Sequence, residues 1–535
     1  MVGTPGSKQA WVLTLTARRI TVFDAETDPF EFGNVPAPFM WGFFDGEDYQ
    51  EFDDTDTFVN FLRDQDAIVY AHNGGKFDLH FLLEYIEPFS DLMIINGRIS
   101  KVNIGAAELR DSWNIIPAKL AAYKKDEIDY ALMKKDQRDK PANRRKISMY
   151  CKSDCVYLYD LVKRFHDEHG IVLTQAGASM RAWKKIAPVA PPRTNKLFYD
   201  EFYPWYFGGR VQCFEKGIID ADFSVFDLNS AYPYAMLSEH PYSANFSRIA
   251  GYAKGADFYR IHAVSRGALP YRSDVDGLVF PDDDQRREYH VGKWEYHAAL
   301  ETDSLHDVEI LESVTFCGHL DFAKYINKYY ALRQEAIAAG DQAGQLIYKL
   351  AMNSLYGKFA ANPEKYKHYQ AWPPEFSNDM ESFGWNFAGE FGPWSLASAS
   401  LSENAQYYYN VATGASITGY VRAMLWRTMK QCGRVLYCDT DSIACIAANL
   451  STGDGLGQWK HEGDFNRAGI GGKKLYIFRA KPGFENKSAS KGVRLTEKQL
   501  WQVARGKTVK YHPIAATFSI HKEPHFISRE ISLTI

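Results

Sequence analysis

KLAMNSLYGK, residues 349–358, is the stretch from which the rest of the chain can be read. Its spacing, K-x3-N-S-x-Y-G, fixes five positions, and at about 5% usage each such a pattern recurs by chance in roughly one chain of this length in several thousand. Working outward, DLNSAYP opens at Asp227 and YCDTDS spans residues 437–442. Each piece alone fits a helix, a strand or a turn with incidental charge; all three in one chain do not. VFDL ahead of the first aspartate reads as a strand. RVLYCDTDSIACI reads as a hairpin on which Asp439 and Asp441, two apart, share a strand face. Helical patterning covers 321–360 and 415–431.

A second set of acids lies near the N-terminus. In FDAETDP a strand of period two would project Asp24 and Glu26 to one face, so one short segment offers two carboxylates to a hard divalent cation. YAHNGGKFDLHF places Asp78 in a strand-to-helix loop beside Asn73 and Phe77. Tyr150 and Asp154, at i,i+4 spacing, share one face of a helix. Metal-assisted phosphodiester hydrolysis asks for about four carboxylates around two cations and a group that orients the attacking water. Asp24, Glu26, Asp78, Asp154 and Tyr150 supply that inventory.

The chain has 535 residues, 46% hydrophobic, 24% charged and 15% aromatic, the profile of a folded protein of two to four domains. No run approaches the roughly 20 apolar residues of a membrane span, and MVGTPGSKQA lacks a signal-peptide layout, so a soluble intracellular protein is expected. Seven scattered cysteines imply reduced thiols rather than a zinc site or a disulfide framework. With 62 basic against 66 acidic residues the net charge is −4, so any nucleic-acid binding must come from local patches. Two are present, KKDQRDKPANRRK (134–146) and the stretch 473–494. The Pro-rich APVAPPRTNK (187–196) cannot continue a helix and marks a boundary near residue 190.

The motif order D-x-E, then N-x(2 or 3)-F/Y-D, then Y-x3-D resembles the DnaQ-like 3′–5′ proofreading exonuclease domain of family B DNA polymerases. DLNSAYP, KLAMNSLYGK and YCDTDS resemble the polymerase motifs A, B and C of that family. The resemblance implies an α/β fold: an N-terminal RNase H-like exonuclease domain followed by a right-hand polymerase domain with α+β palm, helical fingers and a small thumb. It implies that Asp24, Glu26, Asp78 and Asp154 bind two metals, that Tyr150 holds the water, and that Lys125 in KKDEIDY helps at the scissile phosphate. Asn73 and Phe77 would touch single-stranded DNA. In the palm, Asp227, Asp441 and the Leu228 carbonyl would bind Mg²⁺, or Mn²⁺ in its place, with Asp439 a supporting acid. Lys349 and Arg333 would meet the triphosphate of the incoming dNTP. Tyr232 would exclude the 2′-hydroxyl, with Asn353 and Tyr356 as the opposite wall. Lys474 and Tyr476 match a K-x-Y element that supports the primer end, and Tyr206, Gly208 and Gly209 match a Y-x-G-G element that contacts the template strand.

Between Asp227 and Lys349 lie more residues than a palm-to-fingers connection requires, and a second surplus covers about 362–410; long connections in a compact enzyme are usually functional. Both surpluses resemble the insertions of protein-primed family B polymerases of small podophages. The domains expected are 1–190 exonuclease, 191–234 palm, 235–320 first insertion, 321–361 fingers, 362–410 second insertion with strand displacement, 411–490 palm and 491–535 thumb. The resemblance implies a monomeric enzyme that works on template-primer DNA with a terminal protein as primer, in the host cytoplasm during viral infection. Set against it are a nucleic-acid-primed or primer-independent polymerase, a nuclease with a noncatalytic second half, and a noncatalytic single-strand-binding scaffold.

Overall fold

The computed structural model describes residues 18–275, 277–402 and 406–533, so positions 11–17 of the strand-like WVLTLTARRITVF lie outside the described residues. From Arg19 to Thr27 the chain is a strand, antiparallel to Pro38–Phe44 and parallel to Ala67–Ala71. AIVYA (67–71) is buried at every position, as a continuous apolar run in a sheet covered on both faces must be. One cover is the helix Pro141–His169, started by a proline at its first turn, which packs Ile147, Leu158 and Phe165 onto Val22, Ile68 and Tyr70. The other is the helix Thr55–Arg63, capped by Asp54, whose Phe58 and Leu62 meet Phe23 and Val69.

This sheet runs on into a segment the sequence sets apart. The strand Asp91–Ile95 pairs with Lys367–Trp372, Leu92 opposite Tyr369 and Asp91 opposite Gln370, and Trp394–Ser400 and Asn386–Phe391 complete ten strands. Ala371, Phe391 and Leu396 join the core of Leu83 and Leu92, and Trp394 Nε1 donates to the Leu83 carbonyl at 2.6 Å. Residues 362–410 therefore cover an edge that would otherwise expose a row of unpaired backbone groups.

The second half is built on an eight-stranded sheet in which Phe223–Leu228 lies between Ser442–Ala448 and Trp459–Gly472. The helices Ala323–Ala338, Gln342–Phe359 and Val411–Met429 share one large core with it. Residues 235–320 carry a four-stranded sheet, Phe246–Ala250, Leu305–Phe316, Phe258–Arg266 and Asp282–Gly292. Its adjoining helix Lys293–Glu301 adds Tyr296 and Ala299 to the core of Leu425 and Trp426. The segment 235–320 thus shares a core with the helix Val411–Met429. At the C-terminal end, Phe518 packs edge-on against Phe77 and Phe81, tying residues 491–535 back to the first domain. Among the described residues no helix is long and apolar enough to cross a membrane.

Candidate functional site

The palm acids meet because a hairpin turn is fastened to the neighbouring strand. Asp227 stands opposite Ser442, and Leu228 N donates to the Asp441 carbonyl at 2.7 Å. The turn itself is tight: Thr440 takes φ 59°, and Asp441 N donates to the Asp439 carbonyl at 2.6 Å. Asp439 ends its strand and Asp441 lies in the turn, so the two-residue alternation expected of a strand does not apply to them. Their carboxylates consequently differ in role. Asp439 is held by Lys474 Nζ at 2.7 Å, whereas burial and the neighbouring Asp227 push the Asp441 carboxyl up to about 6. Burial, then Glu462, raises Asp227 as well. Lys474 and Asp439, singled out separately in the sequence, form one ion pair. Tyr437 accepts from Lys474 N through its hydroxyl and packs on Tyr476, ring centroids 5.0 Å apart.

Beside these acids Tyr232 and Tyr356 stack at 4.2 Å with planes 12° apart, so the two rings form one wall and not the facing walls expected from the sequence. The stack joins the turn after Asp227 to the helix Gln342–Phe359, which carries Lys349 at its exposed side and Asn353, donating to the Lys349 carbonyl at 2.8 Å. Arg333 lies on the preceding helix with its Nε buried and unpartnered. Among the described residues neither Arg333 nor Lys349 forms an ion pair, which leaves two cations available to a polyanion.

Gly209 closes this arrangement: a Cβ there would stand 2.8 Å from the Thr440 side chain and 3.1 Å from the Tyr232 hydroxyl. The segment Tyr206–Gly209 is anchored from behind. Arg272 donates to the Tyr206 carbonyl at 2.6 Å, and Arg422 to the carbonyls of Phe207 and Gly208. With three successive carbonyls engaged, and the Tyr206 amide donating to the Tyr203 carbonyl at 2.9 Å, the path of this turn is fixed. Arg422 is itself paired with Glu295 at 2.7 Å, both side chains 2% exposed. Sequence reasoning missed Arg422, Arg272 and Glu295. One signal was available: Arg422 is the only charge between Val411 and Trp426 of an otherwise apolar helix, and such a charge needs a partner.

The N-terminal acids line a cleft of about 660 Å³ that brings together Asp24, Glu26, Asp78 and Asp154 with Asn73, Phe77, Lys125 and Tyr150. Asp24 and Glu26 come from one strand, Asp78 from the start of the 3-10 helix Asp78–Tyr85, and Tyr150 and Asp154 from successive turns of the helix Pro141–His169. Lys125 Nζ bonds Asp154 at 2.8 Å and lies 5.1 Å from the Tyr150 ring centroid, while the Tyr150 hydroxyl is 3.3 Å from that of Tyr130. Asn73, left-handed at φ 60°, accepts from Arg98, which also pairs with Asp111. Arg494 and Phe518 complete a wall from the C-terminal segment. Burial pushes Glu26 up to about 8 and Asp78 to about 7, and holds Asp24 well above the carboxylate range, with Glu26 and Asp154 adding to it.

Both acid sets fit divalent cations. Glu26 Oε1 and Asp154 Oδ1 are buried without hydrogen-bond partners, and like charges crowded out of water keep their protons unless a cation compensates them. Oxygen donors of this kind suit hard ions such as Mg²⁺.

A mixed sheet carrying one acid cluster, followed by a palm-like sheet carrying another, is the architecture of the right-hand polymerase class. Comparison with known proteins agrees. Residues 119–375 match the family described as DNA polymerase type B, organellar and viral. The chain is 37% identical over 503 residues, 90% of its length and 87% of the relative's, to a DNA-directed DNA polymerase of Enterobacteria phage PRD1. It is 26% identical over 279 residues, 47% of the chain and 45% of the relative, to the DNA polymerase of Bacillus phage Nf. In fold it is similar to Phi29 DNA polymerase complexed with primer-template DNA, with a TM-score of 0.74 at 19% identity over 97% of this chain and 100% of that one. The protein belongs to the organellar and viral type B DNA polymerases, with phage enzymes among its relatives. The family resemblance drawn from the motifs and the fold class it implies are borne out.

Proposed function

We propose that this chain replicates a linear viral genome in the host cytoplasm, extending primer-template DNA at the palm, proofreading at the N-terminal cleft and initiating on a terminal protein. The observation that carries the reading is the presence of two separate acid clusters, each with its own cations and aromatic walls. Mg²⁺ or Mn²⁺ held by Asp227, Asp441 and the Leu228 carbonyl would activate the primer hydroxyl and stabilise the leaving pyrophosphate. Lys349 and Arg333 meet the triphosphate, and the Tyr232–Tyr356 stack floors the sugar, leaving no room for a 2′-hydroxyl. Lys474 holds Asp439 and so fixes the hairpin beside the primer end. In the cleft, metals on Asp24, Glu26, Asp78 and Asp154 would supply the Lewis acid; Tyr150, positioned by Tyr130, orients the water, and Lys125 fixes Asp154. Asn73, Phe77 and Arg494 receive the single strand.

Residues 362–410 bridge the first domain and the C-terminal hairpin: they pair with Asp91–Ile95 on one side, and the Ala388 carbonyl lies 2.8 Å from His521 Nδ1 on the other. A bridge of this kind can encircle one template strand and exclude its complement, which supports strand displacement. The test pairs two assays: primer extension, and digestion of single strands from the 3′ end, with each acid set removed in turn. Loss of both activities from a folded protein on changing one set would overturn the two-site reading. For priming, nucleotide transfer onto a candidate terminal protein is compared with extension of a DNA primer; no transfer with active extension would favour nucleic-acid priming.

A further inference from the structure

One side chain behind the acids of the N-terminal cleft, in the core they stand on, is of the wrong chemical type for a hard cation. Cys151 lies on the helix Pro141–His169 between Tyr150 and Asp154 and is fully buried. Its Sγ, a carboxylate oxygen of Asp24 and one of Glu26 all lie within 4.8 Å of one another. The strand pairing makes the space: Asp24 stands opposite Gly42, where a Cβ would come within 2.6 Å of Sγ. Glycine at 42 lets the thiol rest against the acid pair.

A second observation points to a ligand there. Glu26 is 95% buried, 5% exposed, and its Oε1 has no hydrogen-bond partner. A buried carboxylate oxygen beside two further donors either keeps a proton or shares a cation with them. Magnesium takes oxygen ligands in a near-octahedral shell and has no use for sulfur, whereas zinc and its softer relatives accept thiolate and carboxylate together.

We propose that Asp24, Glu26 and Cys151 form a site for a thiophilic divalent cation, Zn²⁺ or Cd²⁺, which competes with the hard cation of the cleft. Zinc bonds of about 2.3 Å to sulfur and 2.0–2.2 Å to oxygen in a tetrahedron place ligand atoms roughly 3.6 Å apart, so the trio closes by about 1 Å at most. As the sulfur–metal bond forms, the thiol proton passes to solvent. Among the described residues no other trio of His, Cys, Asp or Glu donors is so close, so the palm has no counterpart. The proposal rests on the exonuclease reading only for the identity of the competing cation.

Cadmium titration of the full chain tests it through the ultraviolet sulfur-to-cadmium charge-transfer band. A band is expected in the native protein, displaced by excess Mg²⁺ and lost in both Cys151→Ser and Glu26→Gln. Persistence of the full band in Cys151→Ser assigns it to other cysteines and overturns the site; persistence in Glu26→Gln shows a thiol binding alone and overturns it equally. Melting curves show whether each variant folds, and zinc-edge X-ray absorption of the native protein at one equivalent gives a reading that needs no variant. One sulfur at about 2.3 Å supports the site, and a shell without sulfur overturns it. Mg²⁺-dependent single-strand digestion is measured on the same preparation. Digestion without a band overturns the soft-metal site alone, and a band without digestion overturns the exonuclease reading alone.

Discussion

The N-terminal cleft buries its carboxylates and leaves two of their oxygens without a partner, whereas the palm carries its acids on adjoining strand ends and a tight turn, fastened by backbone hydrogen bonds and by Lys474. The cleft is preorganised by packing: strand, 3-10 helix and long helix each deliver an acid to a place fixed by the core behind it. The palm is preorganised by hydrogen bonding, with Gly209, Thr440 and Arg422 controlling where the turn lies. Burial raises proton affinity, so the charge state of the cleft is set by its surroundings, whereas that of the palm turns on a few neighbouring residues.

The largest effect expected is the separation of the two sites. Asp227→Ala or Asp441→Ala should lower primer extension about a thousandfold or more, several kcal/mol of lost metal stabilisation, while single-strand digestion persists; Asp24→Ala with Asp78→Ala should do the reverse. Steady-state extension and digestion on the same preparations check this. Next comes the buried pair behind the turn Tyr206–Gly209, proposed to contact template. Glu295→Ala strands the Arg422 guanidinium and should cost roughly 3–5 kcal/mol in denaturant unfolding, with weaker template binding and unaltered digestion of single strands. Replacing both residues with apolar ones should recover much of the stability but not the template binding.

The comparison also shows where a sequence is informative. Helix 141–169 and the acids on it are legible because i,i+4 spacing is a property of neighbouring residues. Asp24 and Glu26 are legible because a strand alternates. The pairing of Asp439 with Lys474 was not, since it depends on left-handed turns at Thr440 and Lys474 that bring two distant hairpins together. Nor was the strand Lys367–Trp372, whose pairing with Asp91–Ile95 is made by backbone groups that carry no side-chain pattern. Glu295 reads as an ordinary charge until the fold buries it; the lone Arg422 of its helix signals that it needs a partner but not which one.

A smaller effect is expected for sugar choice. Tyr232→Val removes the ring beneath the sugar, and relief of an overpacking cost of roughly 1–3 kcal/mol should raise ribonucleotide incorporation about tenfold to a hundredfold relative to deoxynucleotides. Unchanged discrimination in single-nucleotide kinetics would put the steric gate elsewhere.

The smallest effect concerns pH. Glu26 near 8 and Asp78 near 7 bind protons more tightly folded than at their ordinary values of 4.5 and 3.8. In metal-free protein that stabilisation is complete below about pH 4 and is lost as pH rises through 7 to 8. Asp78→Asn should therefore melt about 2–4 °C above the native protein at pH 8 without metal, a difference that closes toward pH 4. Asp441, near 6, should give less in the same assay.

The strand pairing between Asp91 and Gln370, 279 positions apart, also bears on biosynthesis. At about 5–20 residues per second a ribosome needs roughly 14 to 56 s to deliver the partner after the first domain's edge has emerged. Throughout that interval Asp91–Ile95 is an open template for another nascent chain. Its exposed Asp91 places a charge on that edge, the means by which open edges are kept from pairing with another chain.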